Sequence, residues 1–285
     1  MRIKRPAPAK INLALHVVGQ RADGYHLLDT LVMFSETGDI IEAELDDALT
    51  LLVDGPFAGA LDGAIAENLV MRAALLMADA AERRGRPRPG ARIQLTKMLP
   101  VASGLGGGSA DAAATLVALN ELWQLGLDDA ALSAIGLKLG ADVPMCLKSA
   151  PSRVTGIGEH IGPAPVLPDH GLLLIHPGVP VATPHVFRGL TRRDHPPMPD
   201  LPAQWIDVDH FVDWLMPTRN DLQHVAEQLA PDISQALRLL RDLPGCRLAR
   251  MSGSGATCFG IFADAASAQS AADVVRDIRP EWWVG

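Results

Sequence analysis

The sequence predicts a two-domain α+β protein. Three observations carry that prediction: a strand-rich amino-terminal part, a central glycine loop opening an alanine-rich helix, and a proline-punctuated break followed by a second run of helices and strands. At 285 residues and 48% hydrophobic content the chain has enough apolar material for two cores.

Alternating apolar residues place strands at 11–18 and 27–34, joined by the polar turn Gln20-Arg21-Ala22-Asp23-Gly24, and a further strand at 40–45. Over 67–84, Leu69, Val70, Ala73, Leu76 and Met77 recur at helical spacing, and Gly85 stands where the helix would end. A strand at 93–95 delivers the chain into the glycine loop. Behind the loop, one helix runs to about 125 and another over 128–139, with Gly140 suited to its C′ position. Pro163, Pro165 and Pro168 then interrupt the pattern and set the expected domain boundary, dividing 1–163 from 164–285.

In the second domain a strand opens at 172–175. The stretch 192–202, with four prolines, reads as a poorly ordered surface loop. Helices are expected at 221–229 and 232–242, a strand at 247–251, the turn Ser252-Gly253-Ser254-Gly255, a strand at 259–262 and a last helix from 263.

The formal net charge of −8 argues against a nucleic-acid polymer or an anionic membrane as the main partner, since both select for basic surfaces. Cys146, Cys246 and Cys258 form neither a CxxC pair nor a zinc-spaced set, and read as reduced core residues. Arg2, Lys4 and Arg5 are followed by Lys10, Asn12 and His16, which interrupt the apolar run a signal peptide requires. No stretch approaches the roughly 20 apolar residues of a membrane span. The expectation is a cytoplasmic protein.

The glycine loop is the most informative stretch. Pro100, Val101, Ala102, Ser103, Gly104, Leu105, Gly106, Gly107, Gly108, Ser109 and Ala110 lead directly into the helix. Glycines let an anion approach the backbone, and a helix start adds unpaired N–H groups and the positive end of its dipole. The loop therefore reads as a cradle for the phosphates of a nucleotide. It lacks the Gly-Lys-Ser/Thr of a Walker A loop, and Ser109 stands where a dinucleotide fingerprint needs its third glycine. Ser109 is the candidate whose hydroxyl could reach a magnesium ion bridging phosphate oxygens.

Four further segments are too particular for spacers: Pro8-Ala9-Lys10-Ile11-Asn12-Leu13, Arg21-Ala22-Asp23-Gly24-Tyr25-His26, Gly140-Ala141-Asp142-Val143-Pro144 and Met251-Ser252-Gly253-Ser254-Gly255-Ala256. With the loop, and in this order, they resemble the GHMP kinase superfamily over nearly the whole chain. The resemblance implies a ribosomal S5 domain 2-like amino-terminal domain, a ferredoxin-like carboxy-terminal domain and an active site in the cleft between them.

It also implies an ATP- and Mg²⁺-dependent phosphotransferase. The family's catalytic pair falls on Lys10 and Asp142: a carboxylate accepts the proton of the attacking hydroxyl, and an ammonium stabilises the developing alkoxide and the transferring phosphoryl group. By the same resemblance, residues 100–110 hold the ATP phosphates, while Asn68 and Lys97 lie near the adenine end.

The pairing of 9–13 with 23–26 is similar to the branch acting on a small cytidyl diphosphate alcohol, in isoprenoid precursor synthesis by the non-mevalonate route. On that resemblance Tyr25, His26 and Phe187 form a cytidine pocket, and Asn12 and Thr183 hold the diphosphate or the alcohol. Homoserine- and mevalonate-type kinases, or a silent nucleotide sensor, are the alternatives on the same fold. Two departures from the family pattern stand out: Ala102, where glycine is common, and Ile157, where arginine is common.

Overall fold

Ile3 and Ala7 are buried between more exposed neighbours and every residue from Ala9 to Val17 is buried, so the amino terminus makes one strand, β1 (Arg2–Gln20), that is covered on both faces along its central stretch. It begins well before the expected residue 11. Pro6 and Pro8 fall on the even positions, so they break the sequence pattern without interrupting the buried face. After the turn, the chain returns as β2 (His26–Asp46), which merges the two strands expected at 27–34 and 40–45.

The computed structural model describes residues 1–61 and 67–285, and the chain falls into two compact units. The first comprises Met1–Lys10, Phe34–Val101 and Gly106–Ala150; the second comprises Ile11–Met33, Ala102–Leu105 and Pro151–Gly285.

In the first unit β4 (Gly90–Thr96) lies between two partners. It pairs parallel with β3 (Leu49–Asp54) and antiparallel with the second half of β2, in the register Ile40↔Thr96 to Asp46↔Gly90. Helix α1 (Leu69–Glu82) packs on α2 (Gly107–Leu122). Alanines at 73, 74, 78, 110, 112, 113 and 114 are buried and allow close approach of the two helices. Residues on every side of α2 are buried, which is why its sequence shows no polar face. Helix α3 (Asp129–Leu137) is capped by the Asp128 carboxylate, which accepts from Ala131 N. The short α4 (Val143–Lys148) packs on α2 and α3.

In the second unit the first half of β2 pairs antiparallel with β5 (Ser152–Gly156), and β5 with β6 (His160–Pro163). A separate antiparallel sheet uses β7 (Gly171–His176), β8 (Leu248–Met251), β9 (Cys258–Phe262) and β10 (Trp283–Val284), in the order β10-β7-β9-β8. Three helices follow β7: α5 (Thr183–Arg188), α6 (Val208–Leu215) and α7 (Gln223–Leu229). Helix α8 (Asp232–Asp242) matches its expected bounds because Ile233, Ala236, Leu237 and Leu240 make one buried stripe against the sheet. The last helix, α9 (Ala265–Ile278), starts two residues after the expected 263, where Asp264 accepts from Ser267 N as its cap.

The proline-rich 192–202 has no regular secondary structure, yet it is held in place. Met198 N donates to Asp29 Oδ2, Arg153 donates to the Met198 and Pro199 carbonyls, and the Pro196 carbonyl accepts from Arg219. Prolines forfeit their own donors, so the segment is bound largely through carbonyls, with the Met198 and His195 amides as its donors.

Cys146 and Cys258 are buried and Cys246 partly so, all three as free thiols. No helix among the described residues is long and apolar enough to cross a membrane.

At the end of β7, His176 is buried; its Nδ1 accepts from Gly178 N, while its Nε2 is without a partner among the described residues. Burial lowers its pKa from 6.5 to about 4. Because the folded value is depressed, the stabilisation is present above 6.5 and is lost as pH falls through 4. The full effect is about 3 kcal/mol. Urea midpoints measured from pH 7 to 4 should therefore fall more steeply for the wild type than for His176→Gln; parallel curves would remove His176 as the cause.

Candidate active site

In the first unit the Lys10 ammonium lies 3.2 Å from Asp142 Oδ2. The two side chains differ in exposure: 8% for Lys10 and 41% for Asp142, so the cation is fixed inside while the carboxylate faces outward. Asp142 stands at the N-cap position of α4 but makes no capping hydrogen bond, which leaves its carboxylate to Lys10. Above the lysine stem sits Gly106, with φ +63°; a Cβ there would come within 3.0 Å of Lys10 Cε. Only glycine adopts this conformation freely and leaves the stem room.

Gly106 is also the N-cap of α2 and has no side chain with which to cap it. The first amides of α2 therefore lack the usual carboxylate or hydroxyl cap, as an anion site requires. Gly108 is exposed and Ser109 half-buried on this first turn, whereas Pro100, Ser103, Leu105 and Ala110 are buried. Val101 is half-buried, and Ala102 is exposed in the left-handed region at φ 55°. Ala102, where the family resemblance leads to an expectation of glycine, thus occupies a backbone conformation that glycine adopts at less cost. Asn68 caps α1, its side-chain oxygen accepting from Val70 N at 2.9 Å. Its neighbour Leu69 lies near Gly108, which puts the start of α1 beside the crest of the loop.

Lys97 is turned inward. Its side chain is 4% exposed, and its ammonium donates to Asp39 Oδ2 and, at 2.8 Å, to Asp111 Oδ2. Burial works against the charge on Lys97, but Asp111 and Asp39 outweigh it and hold the lysine above its ordinary value. Asp111 is pushed up to about 7, chiefly by burial, with Lys97 opposing and Asp39 adding to the rise. A Cβ on Gly107 would lie 2.9 Å from Lys97 Nζ, so this glycine makes room for the buried ammonium.

The second unit gathers the other expected residues. Asn12 N donates to Ser252 Oγ at 3.1 Å, and Ser252 Oγ donates to the Gly104 carbonyl at 3.1 Å. Asn12 Nδ2 donates to Thr30 Oγ1 at 2.8 Å. Gly104, at φ +79°, packs so closely on the 252–255 turn that a Cβ would meet the Ser252 carbonyl and the Gly255 amide. Thr183 Oγ1 and Ser254 Oγ are 2.7 Å apart. His26 stacks on Phe187 with ring centroids 5.0 Å apart and planes 28° from parallel. Burial, then Arg193, lowers the His26 pKa, and its buried Nε2 is without a partner among the described residues. Tyr25 is 62% exposed.

The sequence alone gives no role to Asp39, Asp111, Ser252 or Ser254. Asp39 gives no local signal, but Asp111 does, as a lone acid in the alanine run 110–114. Among the described residues no group of three or more His, Cys, Asp or Glu is arranged to hold a metal ion.

Comparison with known proteins shows the family. The family description "GHMP kinases N terminal domain" matches residues 68–149, and "GHMP kinases C terminal" matches 208–279. A 4-diphosphocytidyl-2-C-methyl-D-erythritol kinase of Cereibacter sphaeroides is 52% identical over 279 residues, covering 98% of this chain and 96% of its own. A crystal structure of a 4-(cytidine 5'-diphospho)-2C-methyl-D-erythritol kinase, 35% identical, superposes with a TM-score of 0.79 over 99% of this chain and 98% of that one. A homoserine kinase of Cytophaga hutchinsonii, at 21% identity and TM-score 0.64 over 100% of this chain and 94% of its own, shares the fold. With its two GHMP matches and full-length identity of about one half, the chain belongs to the 4-diphosphocytidyl-2-C-methyl-D-erythritol kinase family of GHMP kinases.

Proposed function

We propose that the chain transfers the γ-phosphoryl group of ATP to the 2-hydroxyl of 4-diphosphocytidyl-2-C-methyl-D-erythritol, and does so in the cytoplasm. The observation that carries the mechanism is the Lys10–Asp142 pair, 3.2 Å apart beneath the glycine loop. Asp142 accepts the proton of the attacking hydroxyl. Lys10 stabilises the alkoxide as it forms and the phosphoryl group as it moves, so no covalent enzyme intermediate is required.

The backbone of residues 100–110 receives the ATP phosphates, aided by the uncapped start of α2. Asn68 binds toward the adenine end, its oxygen committed to α1 and its amide N–H groups left as donors. Lys97, which the resemblance places near the adenine end, has its ammonium held by Asp39 and Asp111. Ser109, half-buried on the open turn, would hold Mg²⁺ together with phosphate oxygens. That donor set suits a magnesium ion, which keeps water and phosphate ligands and needs few from protein. When bound, the ion neutralises charge on the phosphates. Asn12 and Thr183 hold the diphosphate or erythritol portion, and Tyr25, His26 and Phe187 the cytosine. On this reading the domains divide at about residue 163.

Incubating the purified protein with ATP, Mg²⁺ and a panel of alcohols, with mass spectrometric identification of products, tests the assignment. Phosphorylation of the cytidyl substrate alone is expected. Phosphorylation of homoserine or mevalonate in its place would overturn it, and absence of any product would favour a nucleotide sensor.

A further inference from the structure

Asp39 holds the chain where it enters the glycine loop. Its Oδ1 accepts from Met98 N at 2.6 Å and from Leu99 N at 2.8 Å, while its Oδ2 accepts from Lys97. Asp111 lies just past the first turn of α2, on the far side of the loop, and takes the other hydrogen bond of the same ammonium. We propose that Lys97 is a positioning residue: by bridging Asp39 and Asp111 it ties the segment entering the loop to the helix leaving it, and so fixes where the loop amides meet the nucleotide phosphates. The inference rests on the reading of residues 100–110 as the nucleotide cradle.

The geometry favours this role over contact with the nucleotide. Lys97 is 3% exposed, and Gly107, the first residue of α2, covers its Nζ so closely that a Cβ would sit 2.9 Å away. The ammonium is spent on two carboxylates.

Stability alone gives a poor account of the cluster. Desolvating three charged groups costs about what their attraction returns, and well-packed apolar groups of the same size commonly serve as well. Asp111 Oδ1, moreover, is buried without a partner among the described residues, an expense that a purely stabilising cluster would avoid. What the three groups do supply is a fixed spacing between two chain segments that the loop itself, rich in glycine, cannot set.

MgATP affinity measured by calorimetry tests the proposal, with urea midpoints measured in parallel. Lys97→Met and Asp111→Leu should each weaken MgATP by about tenfold and leave the KM of the alcohol substrate unchanged, while the double variant should be no weaker than the worse single one, because both break the same bridge. Additive losses in the double variant would put Lys97 on the nucleotide directly and overturn the inference; so would unchanged affinity in either single variant.

If a single variant fails to fold, the charge-free Asp39→Asn/Lys97→Met/Asp111→Leu combination decides. A stable protein that still binds MgATP weakly supports positioning; a stable one that binds it as tightly as the wild type overturns it. Failure of the wild type to bind MgATP would instead overturn the cradle reading itself, and the inference with it.

Discussion

Asp142→Asn should keep the fold and ATP affinity and lower kcat by ~10²–10⁴-fold, the range that a positioned general base contributes. The amide is nearly isosteric with the carboxylate but cannot take the proton of the attacking hydroxyl. The fold should survive because Asp142 is 41% exposed, caps no helix and is replaced by a side chain of the same shape that can still accept a hydrogen bond from Lys10 through its amide oxygen. Turnover within twofold of the wild type, in a variant with an unchanged urea midpoint, would remove Asp142 from the mechanism. Lys10→Met provides the complementary measurement. Methionine retains the apolar stem that Gly106 packs upon and removes only the charge, so the loss should fall on kcat much more than on either KM.

What could be read from the sequence, and what could not, follows from the range of the interactions involved. Helix α8 was legible to the residue because a single stripe of Ile233, Ala236, Leu237 and Leu240 decides it locally. The early start of β1 was hidden, since Pro6 and Pro8 signal a break and only pairing with β2 shows that the buried face runs through them. Short helices α4 and α5, of six residues each, are too brief for periodicity to register.

The same contrast applies to the candidate site. Lys10, Asp142 and the loop were nameable from a motif order that resembles a family, and the structure brings the first two within an ion-pair distance. The resemblance points to Lys97 as well, but its partners Asp39 and Asp111 are 58 and 14 residues away in sequence, so nothing local shows that its charge is already committed. Such a network is a tertiary fact. The glycines divide likewise: Gly107 reads as room for a phosphate and proves also to be room for the Lys97 ammonium.

The cytidine reading makes the other large prediction. His26 and Phe187 already form a stack, 5.0 Å between centroids, on which a pyrimidine would extend the pile, and the exposed Tyr25 ring offers a further face. Burial keeps His26 neutral toward lower pH than usual, and its buried Nε2 lacks a partner among the described residues, so a base that displaces what covers this nitrogen would meet a neutral ring with an uncommitted hydrogen-bonding atom. Removing a stacking face costs roughly 1–3 kcal/mol per base, by analogy with single-strand binding proteins. Phe187→Ala and Tyr25→Ala should therefore each raise the KM of the cytidyl substrate about 5- to 150-fold. The KM of ATP should stay within about twofold, since none of these rings belongs to the loop. His26→Ala should relax discrimination between cytidine and uridine forms of the substrate, because a pocket that loses its hydrogen-bonding group loses the basis for rejecting the wrong edge. Free CDP should compete with the alcohol and not with ATP. If CDP fails to compete and the substrate KM is unmoved in both aromatic variants, the base is bound elsewhere, and the His26–Phe187 stack is only a piece of the second unit's core.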